Sequence, residues 1–370
     1  MKSLKTLLLA TSLLVFPITA QAGDLLRIGA AGPITGKQAV FGEQMKAGID
    51  MAVQDINAAG GILGKKLEAV ISDDACDPKQ AVAAANDLVS KKVGVVFGHF
   101  CSGSTIPASN VYNEEGVLMI SPGSSNPLIT DRGLWNIFRV CGRDDQQGKS
   151  IANFIGSHFQ GKKIVIAHDK QTYSKGLAEE VKKNLNAAGI TEVLFDTVTP
   201  GERDYSAFVT KLKQINADLL VYGGYHTEAG LIVRQMRDHG LKTVLIAGDA
   251  LATEEYGTIT GAAGNGTLMS FGPNPARDPN NAAIVEHFTK AGLKPEGYAL
   301  YTYAAVQTYA AAVKAAGSLD AKKVAEKLKS EKFSTVLGQL SFDSKGDVTI
   351  PTFAIYEWQN GKYDYYPEKK

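Results

Sequence analysis

Two segments rich in serine and glycine each follow a predicted buried strand. The first, 98–105 (GHFCSGST), comes after the apolar run 93–97 and leads straight into a predicted helix, and the second, 122–127 (PGSSNP), comes after 117–121. Hydroxyl groups and backbone amides at a helix N-terminus suit a carboxylate, because the helix dipole favours an anion there. The two segments therefore form a candidate carboxylate receptor. The same composition also serves ordinary turns, and that alternative stays open for each segment.

A tyrosine and an acid follow two predicted strands in the second half of the chain. Tyr225 lies just after a strand that ends at Gly223, and Asp249 follows one that ends at Ala247, with Gly248 between them. Ligands of parallel α/β sheets bind outside the carboxyl ends of the strands, where an acid can accept an ammonium group. With the serine segments opposite, the pattern predicts a receptor for both poles of a zwitterion. Two alternatives stay open: Asp249 could cap a helix over 250–260, and Tyr225 could be a packing residue.

Motifs of the common α/β enzymes are missing from this sequence. The turn after the first predicted strand, 29–36 (GAAGPITG), matches neither GxGxxG nor a phosphate loop, and Pro33 removes a backbone amide there. There is no GxSxG elbow and no HExxH motif, and the six histidines have no metal-ligand spacing. We therefore expect no catalytic residue, no metal and no cofactor. A secreted enzyme acting on an amino acid or amide is the alternative from another class.

The elements that position these segments alternate between strand and helix. Near-continuous Val, Ile and Leu strands joined by helices are typical of parallel sheets covered on both faces. Since the pattern runs twice, we predict an α/β fold of two lobes, each a mostly parallel sheet flanked by helices. The predicted strands are 25–31, 67–72, 93–97, 117–121, 163–168, 193–197, 218–223 and 243–247, and the helices between them are 41–59, 78–90, 104–115, 174–188, 204–216 and 227–239. Predicted helices at 281–291, 301–316 and 321–330 and strands at 340–342, 348–350 and 353–358 complete the two lobes.

The first 22 residues have the pattern of a cleavable secretory signal peptide. Lys2 and Lys5 give a basic head, 7–18 is almost wholly apolar, and 20–22 (AQA) supplies the small residues that a signal peptidase requires. No later stretch reaches the roughly 20 apolar residues of a membrane span. The sequence therefore predicts a secreted, soluble mature chain that begins near Gly23.

Charge and length set further limits on the function. The 39 basic and 38 acidic residues give a formal net charge of +1. Such balance provides no electrostatic attraction to nucleic acid or to an anionic membrane. The 370 residues exceed what one hydrophobic core usually supports, which favours two domains.

Five stretches of the sequence resemble the periplasmic leucine/isoleucine/valine-binding proteins, the type I solute-binding proteins of branched-chain amino acid ABC transporters. They are 55–62 (DINAAGGI), 73–82 (DDACDPKQAV), 120–123 (ISPG), 168–171 (HDKQ) with Tyr173, and 222–226 (YGGYH). The resemblance spans essentially the whole mature chain. It implies one lobe of 24–143 with 273–350 and a second of 144–272 with 351–370, joined by three hinge crossings.

The resemblance implies roles for residues at the two charged poles of a ligand. The hydroxyl and amide of Ser102 and the amide of Ser125 would hold the α-carboxylate. The carbonyl of Gly123, the hydroxyl of Ser125 and the carboxylate of Asp249 would hold the α-ammonium. Tyr225 would line the closing lobe.

The apolar part of the implied site consists of aromatic residues. By the same resemblance, Tyr173 would cover the ligand side chain, and Phe41, Phe100 and Tyr298 would form the wall of its pocket. Three residues depart from the family pattern: Asp249 stands where Glu is typical, Phe41 where Tyr or Trp is frequent, and Gly123 where Ala is frequent. We expect Gly123 to leave extra room, and the departures to affect which ligand is bound more than its class.

The three cysteines are expected to form one disulfide and leave one thiol free. Cys76 and Cys101 both lie at predicted strand ends, and an oxidising compartment favours their pairing. Cys141 is then the odd residue. The resemblance implies the same disulfide, beside the site.

The function that the resemblance implies is amino-acid capture for import. The chain would bind a branched-chain or related apolar amino acid by hinge closure and present it, as a periplasmic monomer, to an inner-membrane permease driven by a cytoplasmic ATPase. A sensory module that reports the ligand to a separate receptor is the other alternative.

Overall fold

The first lobe is built on a five-stranded parallel sheet. The computed structural model describes residues 25–350 and 353–367, and the predicted signal peptide lies outside them. The strands are β1 (Leu26–Gly32), β2 (Leu67–Asp73), β3 (Val95–Gly98), β4 (Leu118–Ser121) and β5 (Ile137–Arg139). Their order in the sheet is β2-β1-β3-β4-β5, and each neighbouring pair is parallel.

The second lobe is built on a seven-stranded sheet that is mostly parallel. The strands are β6 (Ile164–His168), β7 (Leu194–Thr197), β8 (Leu219–Gly223), β9 (Val244–Ala247), β10 (Leu268–Phe271), β13 (Ala354–Gln359) and β14 (Lys362–Tyr365). Their order is β14-β13-β10-β9-β8-β6-β7, with β13 and β14 added antiparallel at one edge. A separate hairpin pairs β11 (Phe333–Thr335) with β12 (Gly338–Leu340).

Twelve α-helices flank the sheets in the described part of the chain. They are α1 (Ala39–Ala58), α2 (Pro78–Ser90), α3 (Ser102–Glu114), α4 (Leu128–Asp131), α5 (Asp144–His158), α6 (Thr172–Ala187), α7 (Ser206–Ile215), α8 (His226–Asp238), α9 (Glu254–Thr260), α10 (Ala282–Lys290), α11 (Ala299–Ala316) and α12 (Ala321–Ser330). Short 3-10 helices cover Asp249–Leu251, Gly261–Gly264, Pro275–Arg277 and Pro279–Asn281. Within the described ranges, no helix is long and apolar enough to span a membrane.

Both faces of the first sheet are buried, which explains its unbroken apolar strands. In β3, Val95 and Phe97 pack into one hydrophobic cluster while Val96 packs into another on the opposite face. Successive side chains of a strand point to opposite faces, so a strand covered on both sides must be apolar throughout. The predicted α/β architecture of two lobes is thereby confirmed.

The strands of each lobe end at a common edge, and this brings the loops of interest together. In the first sheet Ala31 pairs with Gly98, and Phe97 pairs with Ile120. In the second sheet Tyr222 pairs with Ala247. Because neighbouring parallel strands end level with one another, the segments that follow them share one side of each lobe.

Some elements differ from the sequence-based expectation. The 15-residue α5 was not predicted. The three-residue β5 and the one-turn α4 were not predicted either, since segments this short carry too little pattern to be recognised. The strands predicted at 340–342 and 348–350 are wrong: β12 ends at Leu340, and Phe342 and Val348 form only an isolated bridge. The predicted lobe boundaries near 143, 272 and 350 stay a prediction.

The predicted disulfide is present between Cys76 and Cys101, whose Cα atoms are 5.5 Å apart. It joins the segment after β2 to the residue that precedes α3, and Cys141 is a buried free thiol. The bond closes a loop with a sequence separation of 25 residues. It therefore ties together the two loops at the carboxyl edge of the first sheet.

Removing this disulfide is expected to lower the free energy of unfolding by about 3.5 kcal/mol, because the unfolded chain gains the entropy of an open loop. Urea denaturation of the Cys76→Ser/Cys101→Ser double variant measures the loss. Cys141→Ser is the control, and dithiothreitol should destabilise it as it does the wild type. A double variant as stable as the wild type would contradict the prediction.

Candidate ligand-binding site

Two serine hydroxyls fix the two serine-rich segments to each other. The Ser121 hydroxyl donates to the carbonyl oxygen of His99 (2.7 Å) and accepts a hydrogen bond from the amide of Ser124 (2.9 Å). The Ser124 hydroxyl lies 2.9 Å from the carbonyl oxygen of His99 and 2.8 Å from that of Phe100. Both hydroxyls thus serve the structure of the loops rather than a ligand.

His99 and two partners hold the first of these loops in place from within the core. Its Nδ1 lies 2.6 Å from a carboxylate oxygen of Asp74, and its Nε2 lies 2.9 Å from the hydroxyl of Tyr112. Asp74 also accepts a hydrogen bond from the amide of Cys76 (2.7 Å). The loop before α3 is therefore held by a buried polar chain as well as by the disulfide.

Ser102 and Ser125 lie side by side at the carboxyl edge of the first sheet. Ser102 is the first residue of α3, where backbone amides have no intrahelical acceptor. Its hydroxyl accepts a hydrogen bond from the amide of Asn126 (3.2 Å). The carbonyl of Ser125 accepts one from the amide of Asp144 (2.9 Å). This pole offers amides, hydroxyls and a positive helix end, which is the chemistry that a carboxylate requires.

Asp249 lies at the carboxyl end of β9 and is buried. Its Oδ1 accepts hydrogen bonds from the hydroxyl of Tyr173 (2.7 Å) and from Nε2 of Gln147 (3.2 Å), and its Oδ2 accepts one from the hydroxyl of Tyr298. Burial raises the pKa of Asp249 above its ordinary value of 3.8, although these hydrogen bonds oppose the rise. A buried carboxylate whose side-chain donors are all neutral favours a cationic ligand group.

The alternative role of Asp249 as a helix cap is wrong. The predicted helix over 250–260 is interrupted, with a 3-10 turn at Asp249–Leu251 and α9 starting only at Glu254. Thr253 is the N-cap of α9, and its hydroxyl accepts a hydrogen bond from the amide of Glu255 (3.2 Å). The carboxylate of Asp249 points instead toward the tyrosines between the lobes.

A small pocket lies between the two poles. It is lined by Phe100, Ser102, Gly123, Tyr173, Tyr225, Asp249 and Ala250. Six of the nine residues predicted for ligand binding therefore line one space. Tyr225 is buried against Tyr173, with ring centroids 5.2 Å apart, and its hydroxyl lies 3.8 Å from the sulfur of Cys76 in the first lobe.

The other three predicted residues lie outside the immediate lining. Phe41 stacks on Phe100, with ring centroids 4.3 Å apart and planes 12° from parallel. Tyr298 meets Phe100 edge-on at 4.9 Å and donates its hydroxyl hydrogen to Asp249. Ser125, also buried, contributes its carbonyl to the start of α5.

The expectation that Gly123 leaves extra room in the site is wrong. A Cβ atom at this position would lie only 2.6 Å from Cδ2 of Phe100 and 2.7 Å from its Cε2. The ring of Phe100 already occupies the space above the glycine. A preference for glycine over alanine here follows from the position of that ring.

Asp144 and Gln147, both on α5, were missed by the sequence analysis. Asp144 is fully buried, and neither of its carboxylate oxygens has a well-formed hydrogen bond within 25–350 and 353–367. Burial, and then the nearby charge of Asp249, raise the pKa of Asp144 well above 3.8. The sequence offers one signal that could have identified Asp144 as a site residue. It is the first residue of α5, which connects the last strand of the first sheet to the first strand of the second.

The comparisons with known proteins identify the family of this chain. A family model described as periplasmic binding protein matches residues 26–362. The chain belongs to the periplasmic binding protein family. Over 358 residues, and 96% of both chains, it is 49% identical to a protein of Brucella melitensis biotype 1 named Leu/Ile/Val-binding protein homolog 1.

Two solved structures of this family have the same fold. The leucine-binding protein LivK of Thermotoga maritima is 29% identical and superposes with a TM-score of 0.86, covering 92% of this chain and 98% of its own. The branched-chain amino acid transporter substrate-binding protein LivJ of Streptococcus pneumoniae, solved with isoleucine, is 28% identical with a TM-score of 0.83, at 92% and 98% coverage. These relatives are named as binding proteins and not as enzymes.

Asp144→Asn is expected to stabilise the ligand-free binding protein at neutral pH. Because the folded-state pKa of Asp144 is raised, the folded chain retains a proton that the unfolded chain releases, so stability falls as the pH rises above about 4. The uncharged amide of asparagine does not titrate, so the variant avoids this loss of stability. A gain of about 1 kcal/mol in the free energy of unfolding raises Tm by roughly 2 °C in a chain of this size. Thermal unfolding at pH 4 to 8 measures the difference, which should grow with pH.

Asp145→Asn is the matched control for this prediction. Asp145 is the next residue, is partly exposed and pairs with the guanidinium of Arg143 at 2.9 Å. Its amide variant should gain no stability at any pH, because a favourable ion pair is lost. A gain for Asp144→Asn that is equal at pH 4 and pH 8, or no gain at all, would contradict the assignment.

Proposed function

We propose that this protein is the secreted solute-binding component of an ABC importer, and that it binds an amino acid, branched-chain or related apolar, between its two lobes. It catalyses no reaction. The observation that carries the proposal is one pocket lined by groups of opposite chemistry: a hydroxyl and backbone amides at the start of α3, and the buried carboxylate of Asp249.

The charged poles of the ligand are assigned to four residues. The hydroxyl and amide of Ser102 and the amide of Ser125 hold the α-carboxylate. The carbonyl of Gly123, the hydroxyl of Ser125 and the carboxylate of Asp249 hold the α-ammonium. Hydrogen bonds that involve a charged group are roughly twice as strong as neutral ones, and they strengthen further when closure removes water.

The aromatic residues enclose the rest of the ligand. Tyr225 lines the second lobe, Tyr173 covers the ligand side chain, and Phe41, Phe100 and Tyr298 form the apolar wall. Support comes from the burial of all five and from their mutual ring contacts. Burying the ligand side chain against them contributes about 25 cal/mol per Å² of apolar surface.

Closure between the lobes is supported by contacts that join residues far apart in sequence. The Gln44 side chain, on α1, donates to the carbonyl of Ala252 (3.2 Å), which belongs to the other lobe in the predicted division. Lys294 pairs with Glu254 at 2.6 Å. We infer that the ligand first meets the lobe of Ser102, and that hinge rotation then brings Asp249 over it.

The family supports a proposal for the location and the partners of the protein. We infer that the signal peptide directs the mature chain to the periplasm, where it acts as a monomer. The closed, liganded form is presented to an inner-membrane permease powered by a cytoplasmic ATPase. The related LivJ of Streptococcus pneumoniae is named as a transporter substrate-binding protein, which supports this assignment.

Asp249→Ala is expected to weaken amino-acid binding by about 30-fold or more, because loss of one partner of a buried charge pair typically costs about 2–5 kcal/mol. Isothermal titration calorimetry with a panel of apolar amino acids measures this change in affinity. The control is Asp238→Ala, an exposed acid at the end of α8, which should bind as the wild type does. Equal affinity in Asp249→Ala would reject the ammonium-binding role.

A further inference from the structure

Arg139, the last residue of β5, is fully buried and binds the second serine-rich segment. Its Nη1 donates hydrogen bonds to the carbonyl oxygens of Ser124 (3.0 Å) and Asn126 (2.9 Å). Its Nε donates to Oδ1 of Asp347 (2.6 Å), and its Nη2 donates to the hydroxyl of Thr130. The guanidinium thus holds the segment and a buried carboxylate at the same time, which its rigid fork of donors permits.

The position of Arg139 is itself fixed by its partners. Asp347 is buried, and its Oδ1 also accepts a hydrogen bond from the hydroxyl of Thr130 (2.8 Å). The backbone amide of Arg139 donates to the carbonyl of Gly346 (3.0 Å). Main chain and side chain of Arg139 are therefore both bound to the segment that contains Asp347, and the guanidinium has one defined direction.

The bond from Arg139 to the carbonyl of Ser124 also orients the amide of Ser125. These two groups belong to one peptide unit, which is trans. In a planar trans peptide the C=O and N–H bonds point in opposite directions. The amide of Ser125 therefore points away from Arg139.

The amide of Ser125 is buried without an acceptor in the described part of the chain. The amides on either side of it are satisfied: that of Ser124 donates to the hydroxyl of Ser121 (2.9 Å), and that of Asn126 donates to the hydroxyl of Ser102 (3.2 Å). Ser125 itself is only 1% exposed, so water has little access to it. Buried backbone N–H groups without a partner are rare in folded proteins, which indicates that a ligand supplies this acceptor.

We propose that Arg139 is the positioning residue of the carboxylate pole: by binding the carbonyl of Ser124, it turns the amide of Ser125 toward the ligand carboxylate. Asp347 in turn holds the guanidinium in place. The inference rests on the proposed function and deepens it, because it assigns the orientation of one carboxylate donor to a residue outside the pocket lining. Arg139 acts through the peptide unit and not by contact with the ligand.

The first test removes Arg139 and its counter-charge together in Arg139→Met/Asp347→Asn, because replacing both members of a buried ion pair leaves no unpaired charge. Calorimetry with leucine, isoleucine, valine and alanine measures the effect. For each of these that the wild type binds, Kd should rise at least about 10-fold, since a hydrogen bond to a charged group is lost.

The matched control is Arg143→Met/Asp131→Asn, which removes another arginine–aspartate pair (3.0 Å) from the same cluster of charges. The side chain of Arg143 also binds Asp347 (2.7 Å) but none of the described residues 122–127. This variant should bind as the wild type does. Equal losses in the two double variants, or wild-type Kd in a folded Arg139→Met/Asp347→Asn protein, overturn the inference. If the wild type binds none of the four amino acids, the proposed function itself fails.

The second test observes the peptide unit directly by NMR. Ser124 and Ser125 are the only adjacent serines in the sequence, so protein made with ¹³C-carbonyl, ¹⁵N-labelled serine gives one serine–serine signal in an HNCO spectrum. Its proton is the Ser125 amide and its carbon is the Ser124 carbonyl. Saturation with an amino acid that binds in calorimetry should move this proton downfield in the wild type and in the control, but not in Arg139→Met/Asp347→Asn. A proton that stays in place in the saturated wild type overturns the inference.

Arg139→Lys keeps the positive charge beside Asp347 and serves if Arg139→Met/Asp347→Asn does not fold. A lysine ammonium has three donors, whereas Arg139 binds four acceptors, so both carbonyls cannot be held. Kd should rise at least about 3-fold, and the carbon of the serine–serine signal should shift. Wild-type Kd together with an unchanged carbon shift overturns the role of Arg139.

Discussion

A buried carboxylate that has no basic partner side chain among the described residues governs the organisation of this site. Asp249 receives hydrogen bonds from Tyr173, Tyr298 and Gln147, all of which are neutral, so its negative charge is solvated but not cancelled. Burial makes that charge expensive, as the raised pKa of Asp249 shows. In the proposed function, an ammonium group between the lobes supplies the missing positive charge, and this would couple closure to ligand binding.

The carboxylate of Asp249 is also connected, through Tyr298, to the aromatic side chains of the site. Tyr298, which precedes α11, donates to Asp249 while its ring holds Phe100 against Gly123. The group that solvates the acid therefore also fixes the floor of the apolar pocket. Any change in the length of the acid would shift the tyrosine and, with it, the ring. This coupling gives a physical reason to find Asp249, Tyr298 and Phe100 together in one chain.

Much of the fold could be predicted because strand and helix periodicities are strong and local. The alternation over 25–247 predicted most of the elements in the right order, but the 15-residue α5 was missed. The short elements β5 and α4 were missed because three or four residues carry no periodicity. The site was harder to predict. Ser124 and Ser125 are indistinguishable in sequence, yet the hydroxyl of Ser124 is engaged by the carbonyls of His99 and Phe100.

The sequence by itself determined the compartment signal, the two-lobed α/β class and the set of loops that carry the polar residues, since each depends on residue type and spacing along the chain. Only the tertiary structure decided how those loops meet. It made Thr253 rather than Asp249 the cap of α9, filled the space above Gly123 with Phe100, and brought the buried Asp144 close to Asp249. These outcomes depend on contacts between residues distant in sequence, and no local pattern encodes which side chain occupies a shared space.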